Sequence, residues 1–246
     1  LARDIPGMDA RLTLRPGSAP GEVVGEVTVA RTPVLFDFNA QNFGSRDVGR
    51  WGGVARVRFA GLTGMGDLTT ASFYSTPDFD EQQVVQLAHE FRVGGEGLRF
   101  GASYTYAWTR PDIAAFPIKS KTQIASLFAS YPVTLTQARR FTIGGGLDLI
   151  DQDIGLGGVP INRDRLRVFN LRADASWIDP GSVAGRSGFS PSEPRWAVST
   201  ALEARQGVSF LGASNDCGPG GVTCFLPGAV PLTRVDGKPD AFLIRA

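Results

Sequence analysis

Leu98–Thr109 reads LRFGASYTYAWT. Leu98, Phe100, Ala102, Tyr104, Tyr106 and Trp108 fall on one face of a strand. Arg99, Gly101, Ser103, Thr105 and Thr109 fall on the other, with only the small Ala107 breaking the polar set. Side chains alternate faces along a strand, so this is a ribbon with one oily side and one wet side. A soluble sandwich strand can alternate in the same way. Three rings at the end of the oily face are heavy for a packed core. They suit a strand that faces lipid and ends in the headgroup region.

The rest of the chain repeats the pattern. Strands are expected at residues 34–43, 51–60, 68–76, 82–93, 98–109, 122–132, 140–150, 164–177 and 195–209, with a last one beginning near Asp240. Several reach about ten residues, the length a tilted strand needs to cross a bilayer. Phe141, Ile143, Leu147 and Leu149 oppose Thr142, Gly144, Gly146 and Asp148; Phe169, Leu171, Ala173, Ala175 and Trp177 oppose Asn170, Arg172, Asp174 and Ser176. Residues 122–132 alternate less cleanly, with Ile124 and Phe128 on the polar side. The polar face also carries mid-strand charges: Arg56, Arg58, Glu90, Arg92, Arg99, Asp148, Arg172, Asp174, Glu203 and Arg205. These are the expected pore-lining residues.

The four tryptophans sit at strand ends on the apolar face. If the strands run antiparallel, Trp51 and Trp108 lie at one rim, and Trp177 and Trp196 at the other. Tyr131 joins the second rim and Tyr74 the first. Two aromatic girdles around an apolar band are the pattern of an outer-membrane barrel. The same directions sort the connections, and the longest, 210–239, falls on the Trp51 side, as expected for long outer loops.

The bulk numbers are compatible with this reading. The chain has 246 residues, 42% of them hydrophobic, and a net charge of +1. No run of about 18 apolar residues is present, so no membrane-spanning helix is expected; barrel strands leave no such run. The 31 glycines suit many strands and tight turns. The near-zero charge argues against a nucleic-acid partner. The sequence begins at Leu1 without a signal peptide, so an internal fragment of a longer protein is expected. Cys217 and Cys224 lie in one Gly/Pro-rich loop and fit a small disulfide in an oxidising compartment.

Catalytic and cofactor chemistry finds little support. The only histidine, His89, shares a face with Leu87 and Phe91, with no nucleophile and orienting acid around it. The two cysteines lack the companions of a zinc site. The glycine clusters at 94–97 and 144–146 are not followed by a helix and are not phosphate loops. No catalytic, cofactor-binding or metal-binding residue is assigned, and the chain is not expected to be an enzyme.

Residues 42–76, NFGSRDVGRWGGVARVRFAGLTGMGDLTTASFYST, resemble the opening barrel strands of two-partner secretion transporters, the haemolysin secretion/activation family. The cues are a first strand ending in Asn-Phe-Gly-Ser, a Gly-Arg before the second strand, and a Gly-rich turn ending in Gly66-Asp67. Upstream, residues 11–34, RLTLRPGSAPGEVVGEVTVARTPV, resemble the last strands of a periplasmic POTRA domain. The resemblance implies an all-β membrane barrel, antiparallel, with about ten of the family's sixteen strands present. It divides the chain into residues 1–32, the C-terminal end of a POTRA domain in the periplasm, and 33–246, the N-terminal part of a barrel in the bacterial outer membrane. It implies protein transport in a Gram-negative cell: export of a secreted exoprotein as unfolded polypeptide, with outer-membrane lipid as the other partner and no cofactor. No Arg-Gly-Tyr triplet occurs here, so the residues of the family's inward loop are not carried over. The rival readings are a passive outer-membrane porin or channel, and a soluble β-sandwich binding module.

Overall fold

The computed structural model describes residues 5–113, 117–185, 188–214, 229–233 and 242–245. Two strands, β1 (Met8–Pro16) and β2 (Val23–Arg31), form a hairpin sheet of their own. Ten more form one continuous sheet: β3 (Val34–Gln41), β4 (Gly52–Ala60), β5 (Leu68–Ser75), β6 (Gln82–Val93), β7 (Leu98–Thr109), β8 (Ile118–Leu135), β9 (Arg139–Leu156), β10 (Val159–Ile178), β11 (Ala197–Gly207) and β12 (Phe242–Arg245). Each pairs antiparallel with its sequence neighbours. One meander with no second sheet packed on it, among the described residues, is not a two-sheet sandwich. Its edges there are β3 and β12, and it does not close on itself.

β6 and β7 match the sequence reading to the residue. β8, β9 and β10 run well past it, to 18, 18 and 20 residues. Residues 110–121 and 151–163 were expected as connections; 118–121 is strand, and so is all of 151–163 except Gly157 and Gly158. The link between β9 and β10 shrinks to Gly157 and Gly158, with φ of +59° and +90°. Positive φ at both central residues is the two-residue turn whose twist matches the flanking strands, and glycine adopts it without strain.

The projecting edge of β10, left bare where β11 stops, is covered by the following segment. Val208 and Ser214 donate backbone hydrogen bonds to the carbonyls of Arg167 and Arg165, both 2.8 Å, and Arg165 N donates to Ser214 Oγ at 2.8 Å. These bonds satisfy backbone groups that would otherwise form an open edge. At the opposite end, β10 and β11 are joined through a one-turn helix, α1 (Pro180–Val183). Asp179 caps it through Ser182 N and Oγ, at 3.0 and 2.7 Å.

The β1–β2 hairpin meets the large sheet through a two-residue link. Thr32 N donates to Gly7 O, and Ala60 N to Pro33 O, both 2.8 Å. Leu12, Leu14, Val27 and Val29 are all exposed on the hairpin. A lone two-stranded sheet is marginally stable in water, so its oily side chains need a further partner. Residues 5–7 form a turn into β1; residues 1–4, Cys217 and Cys224 lie outside the described residues.

Candidate pore wall

Residues directly opposite in paired strands share a face. The register therefore sorts every side chain of the sheet. Arg56 pairs with Ser72, Ser72 with Gln86 and Gln86 with Thr105; Glu90 pairs with Gly101, Gly101 with Phe128, Phe128 with Gly146 and Gly146 with Asn170. Followed across all the strands, this puts Arg56, Arg58, Glu90, Arg92, Arg99, Asp148, Arg172, Asp174, Glu203 and Arg205 on one face. Phe100, Tyr104, Tyr106, Phe141, Leu147, Phe169, Leu171 and Leu202 lie on the other.

The charged face is cross-linked from strand to strand. Asp37 of β3 holds Arg58 at 3.1 Å and Arg56 at 3.7 Å. Glu90 of β6 holds Arg99 at 3.6 Å, and Arg99 Nε donates to Ser130 at 3.2 Å. Asp148 of β9 accepts from Ser126 at 2.7 Å, Asn170 at 3.3 Å and Arg205 at 3.0 Å. Arg205 also reaches Glu203 at 3.2 Å, and Arg172 grips Asp174 with two bonds of 2.8 and 2.7 Å. The result is a surface on which acidic and basic side chains interleave. The sequence reading named most of these charges, and placed Asn170 on the polar face, but did not name Asp37, Ser126 or Ser130. Alternation within β3 could have found Asp37, since it lies between Phe36 and Phe38.

Phe128 is a large ring on the charged face. It lies over Gly101, where an added Cβ would come within 2.4 Å of its ring atoms, and Arg99 sits 5.8 Å from its centroid. The glycine opposite makes the bay that the ring fills, and the guanidinium covers it.

The other face is apolar over a limited height. On β9 the outward positions Phe141, Ile143, Gly145, Leu147 and Leu149 are followed by Asp151 and Asp153. On β10, Trp177, Ala175, Ala173, Leu171 and Phe169 are followed by Arg167, Arg165 and Arg163. Nine residues of tilted strand cover about 23 Å along the membrane normal, close to the apolar band of a transmembrane barrel. Leu171 is 69% and Leu127 59% exposed in this band, which is costly in water and favourable in lipid.

Aromatic residues mark both limits. Trp108, its ring 5.2 Å from that of Tyr106 and tilted 48° to it, and Trp51 lie at the end where the long strands project. Trp177 and Trp196 lie at the other, with Tyr131, which donates to Glu96 at 2.9 Å. Tyr74 departs from the expected girdle. It pairs with Val54 and Val84 and so lies on the charged face, its hydroxyl against Gly52. Alternation in LTTASFYS is weak, and Phe73 takes the outward position instead. His89 is on the apolar face as expected, its Nδ1 2.8 Å from Thr69 Oγ1 and its ring 5.9 Å from Phe91.

No protein-family model and no curated protein matches the sequence. Solved structures do. CdiB from Escherichia coli superposes with a TM-score of 0.66 at 16% identity, over 86% of this chain and 38% of that one. CdiB from Acinetobacter baumannii gives 0.53 at 14% identity, over 82% of this chain and 37% of that one. The chain thus spans less than two fifths of each of these two structures. The likeness shows the fold: the ten strands form an antiparallel sheet of the kind that builds a membrane β-barrel wall, and the sheet is not closed here. The resemblance read from the sequence is borne out at that level.

Proposed function

We propose that the chain is part of an outer-membrane pore that exports a partner exoprotein as extended polypeptide. The observation that carries this is the two-faced wall: a girdled apolar band on one side and a charge-paired surface on the other, in the fold of CdiB. The apolar face meets lipid. The ten charged residues line a hydrated passage, where paired charges offer a sliding chain many weak contacts and no deep site that would hold it. Binding and transport of this kind need no enzymatic step and no cofactor.

In this reading the β1–β2 hairpin is the end of a POTRA domain in the periplasm. Two residues tie it to β3, so a chain docked there is delivered to the pore mouth. An extended substrate can add a strand to an exposed sheet edge through main-chain hydrogen bonds, with little demand on its sequence. The experiment expresses the full-length parent with its candidate exoprotein and compares export and single-channel conductance with and without residues 1–32. Loss of export with conductance retained supports the proposal. Export that continues unchanged rejects it in favour of a passive channel.

A further inference from the structure

The strands outlast the apolar band, and what they carry beyond it is basic. Trp108 of the girdle pairs directly with Lys121, Lys121 with Asp153, and Asp153 with Arg163. In the neighbouring row Tyr106 pairs with Gln123, Gln123 with Asp151 and Asp151 with Arg165. Lys119 follows two residues beyond Lys121 on the same face. All of these point to the side that carries Leu147 and Leu171 below, so they stand on the lipid-facing surface at the height where hydrocarbon gives way to headgroups.

The acids of this patch are already engaged. Asp153 holds Arg163 Nε and Asp151 holds Arg167 Nη1, both at 2.7 Å. Arg167 is itself buried, its guanidinium bonded to the carbonyls of Leu211, Ile150 and Leu166. Lys119, Lys121 and Arg165 are exposed and have no side-chain ion-pair partner among the described residues. Lys121 and Arg165 are two strands and two residues apart, about 12 Å between backbones. Side chains of that length can converge on one anionic headgroup. The continuous ladder of β8, β9 and β10, clamped at Arg165 by Ser214, fixes the three cations in one surface.

We propose that Lys119, Lys121 and Arg165 seat the phosphate groups of a phosphorylated glycolipid in the outer leaflet. This rests on the reading of the sheet as a barrel wall with its projecting end outside the cell, and not on export. Charge complementarity selects the ligand: cations fixed beside an aromatic girdle meet lipid phosphates before anything else. A zwitterionic lipid carries a cation beside its own phosphate and matches three clustered cations less well than a headgroup of net negative charge.

The test uses the full-length protein in detergent, with fluorescent lipopolysaccharide as probe. The triple variant K119E/K121E/R165E is compared with the unaltered protein, and conductance in planar bilayers confirms that both have folded. The proposal expects about a tenfold or greater loss of lipopolysaccharide binding in the variant. Chemically dephosphorylated lipid should bind both proteins equally weakly. Equal lipopolysaccharide binding by the two proteins overturns it, as does undiminished binding of dephosphorylated lipid. Displacement of the lipid by inorganic phosphate alone would overturn the lipid assignment. If the variant binds the lipid normally but loses an acidic polypeptide, the patch is a protein contact and the proposal fails. Failure of the barrel reading is distinguishable, because neither protein would then conduct.

Discussion

Arg205 of β11 reaches across β10 to Asp148 of β9, with 3.0 Å between guanidinium and carboxylate. The contact ties three strands together from one face, and Ser126 adds a fourth at 2.7 Å. Asp148 is the more covered partner, 16% exposed against 42% for Arg205. Replacing Asp148 by alanine removes the acceptor of three donors at once. It should cost about 1–2 kcal/mol in urea unfolding of the full-length protein in lipid. Channel selectivity should shift toward anions. An unchanged midpoint together with unchanged selectivity would show that the network neither holds the wall nor faces the permeating ions.

Leu171 pairs with Gly145, at the centre of the apolar span. An arginine at Leu171 should cost about 2–4 kcal/mol near the bilayer midplane. An arginine at Ser103, on the charged face, should be nearly neutral. Equilibrium unfolding of both variants in lipid vesicles checks the pair, and equal costs would contradict the assignment of faces.

Gly101 and Phe128 should behave as one unit. A methyl group at Gly101 would collide with the Phe128 ring, so Gly101→Ala should destabilise by about 1–3 kcal/mol. With Phe128→Ala in the background the same change should cost little, because the ring is gone. A double-mutant cycle measures this coupling, and additive effects would refute the contact.

Asp67 provides a pH signature outside the membrane. Its side chain is fully buried in the turn between β4 and β5. Burial pushes its carboxyl up, but the Thr63 hydroxyl and amide, donating at 2.7 and 3.0 Å, outweigh that and leave it below the ordinary aspartate value. The folded state therefore favours the ionised form. Its contribution is fully present above the ordinary value near 3.8 and is lost as pH falls through the lowered one. The protection of the Thr63 amide, taken against its intrinsic exchange rate at each pH, should hold from neutral pH to about pH 4 and fall below, and Asp67→Asn should abolish that acid-specific step. A step at neutral pH would contradict it.

Much of this was legible in LRFGASYTYAWT, because a strand that faces lipid on one side and water on the other must alternate cleanly. β6 and β7 appear at the expected boundaries for that reason. The far ends of β8, β9 and β10 were hidden. Asp151, Asp153, Arg163 and Arg165 point outward above the band, so alternation stops there while the hydrogen-bond ladder continues. The Gly157–Gly158 pair was the available signal for that hairpin. Tyr74 was misplaced because β5 carries small polar residues on both faces. Pairings such as Asp148 with Arg205 depend on register across several strands, which no single stretch of sequence specifies.

In the proposed export a partner polypeptide passes along the charged face of this wall. Ala102 and Ser103 are adjacent small residues in the middle of β7 on opposite faces. A photo-crosslinking amino acid at each position, in the full-length parent with its exoprotein stalled during export, tests the claim directly. An exoprotein adduct is expected from Ser103 and none from Ala102. Adducts from neither position, or from both equally, would contradict it.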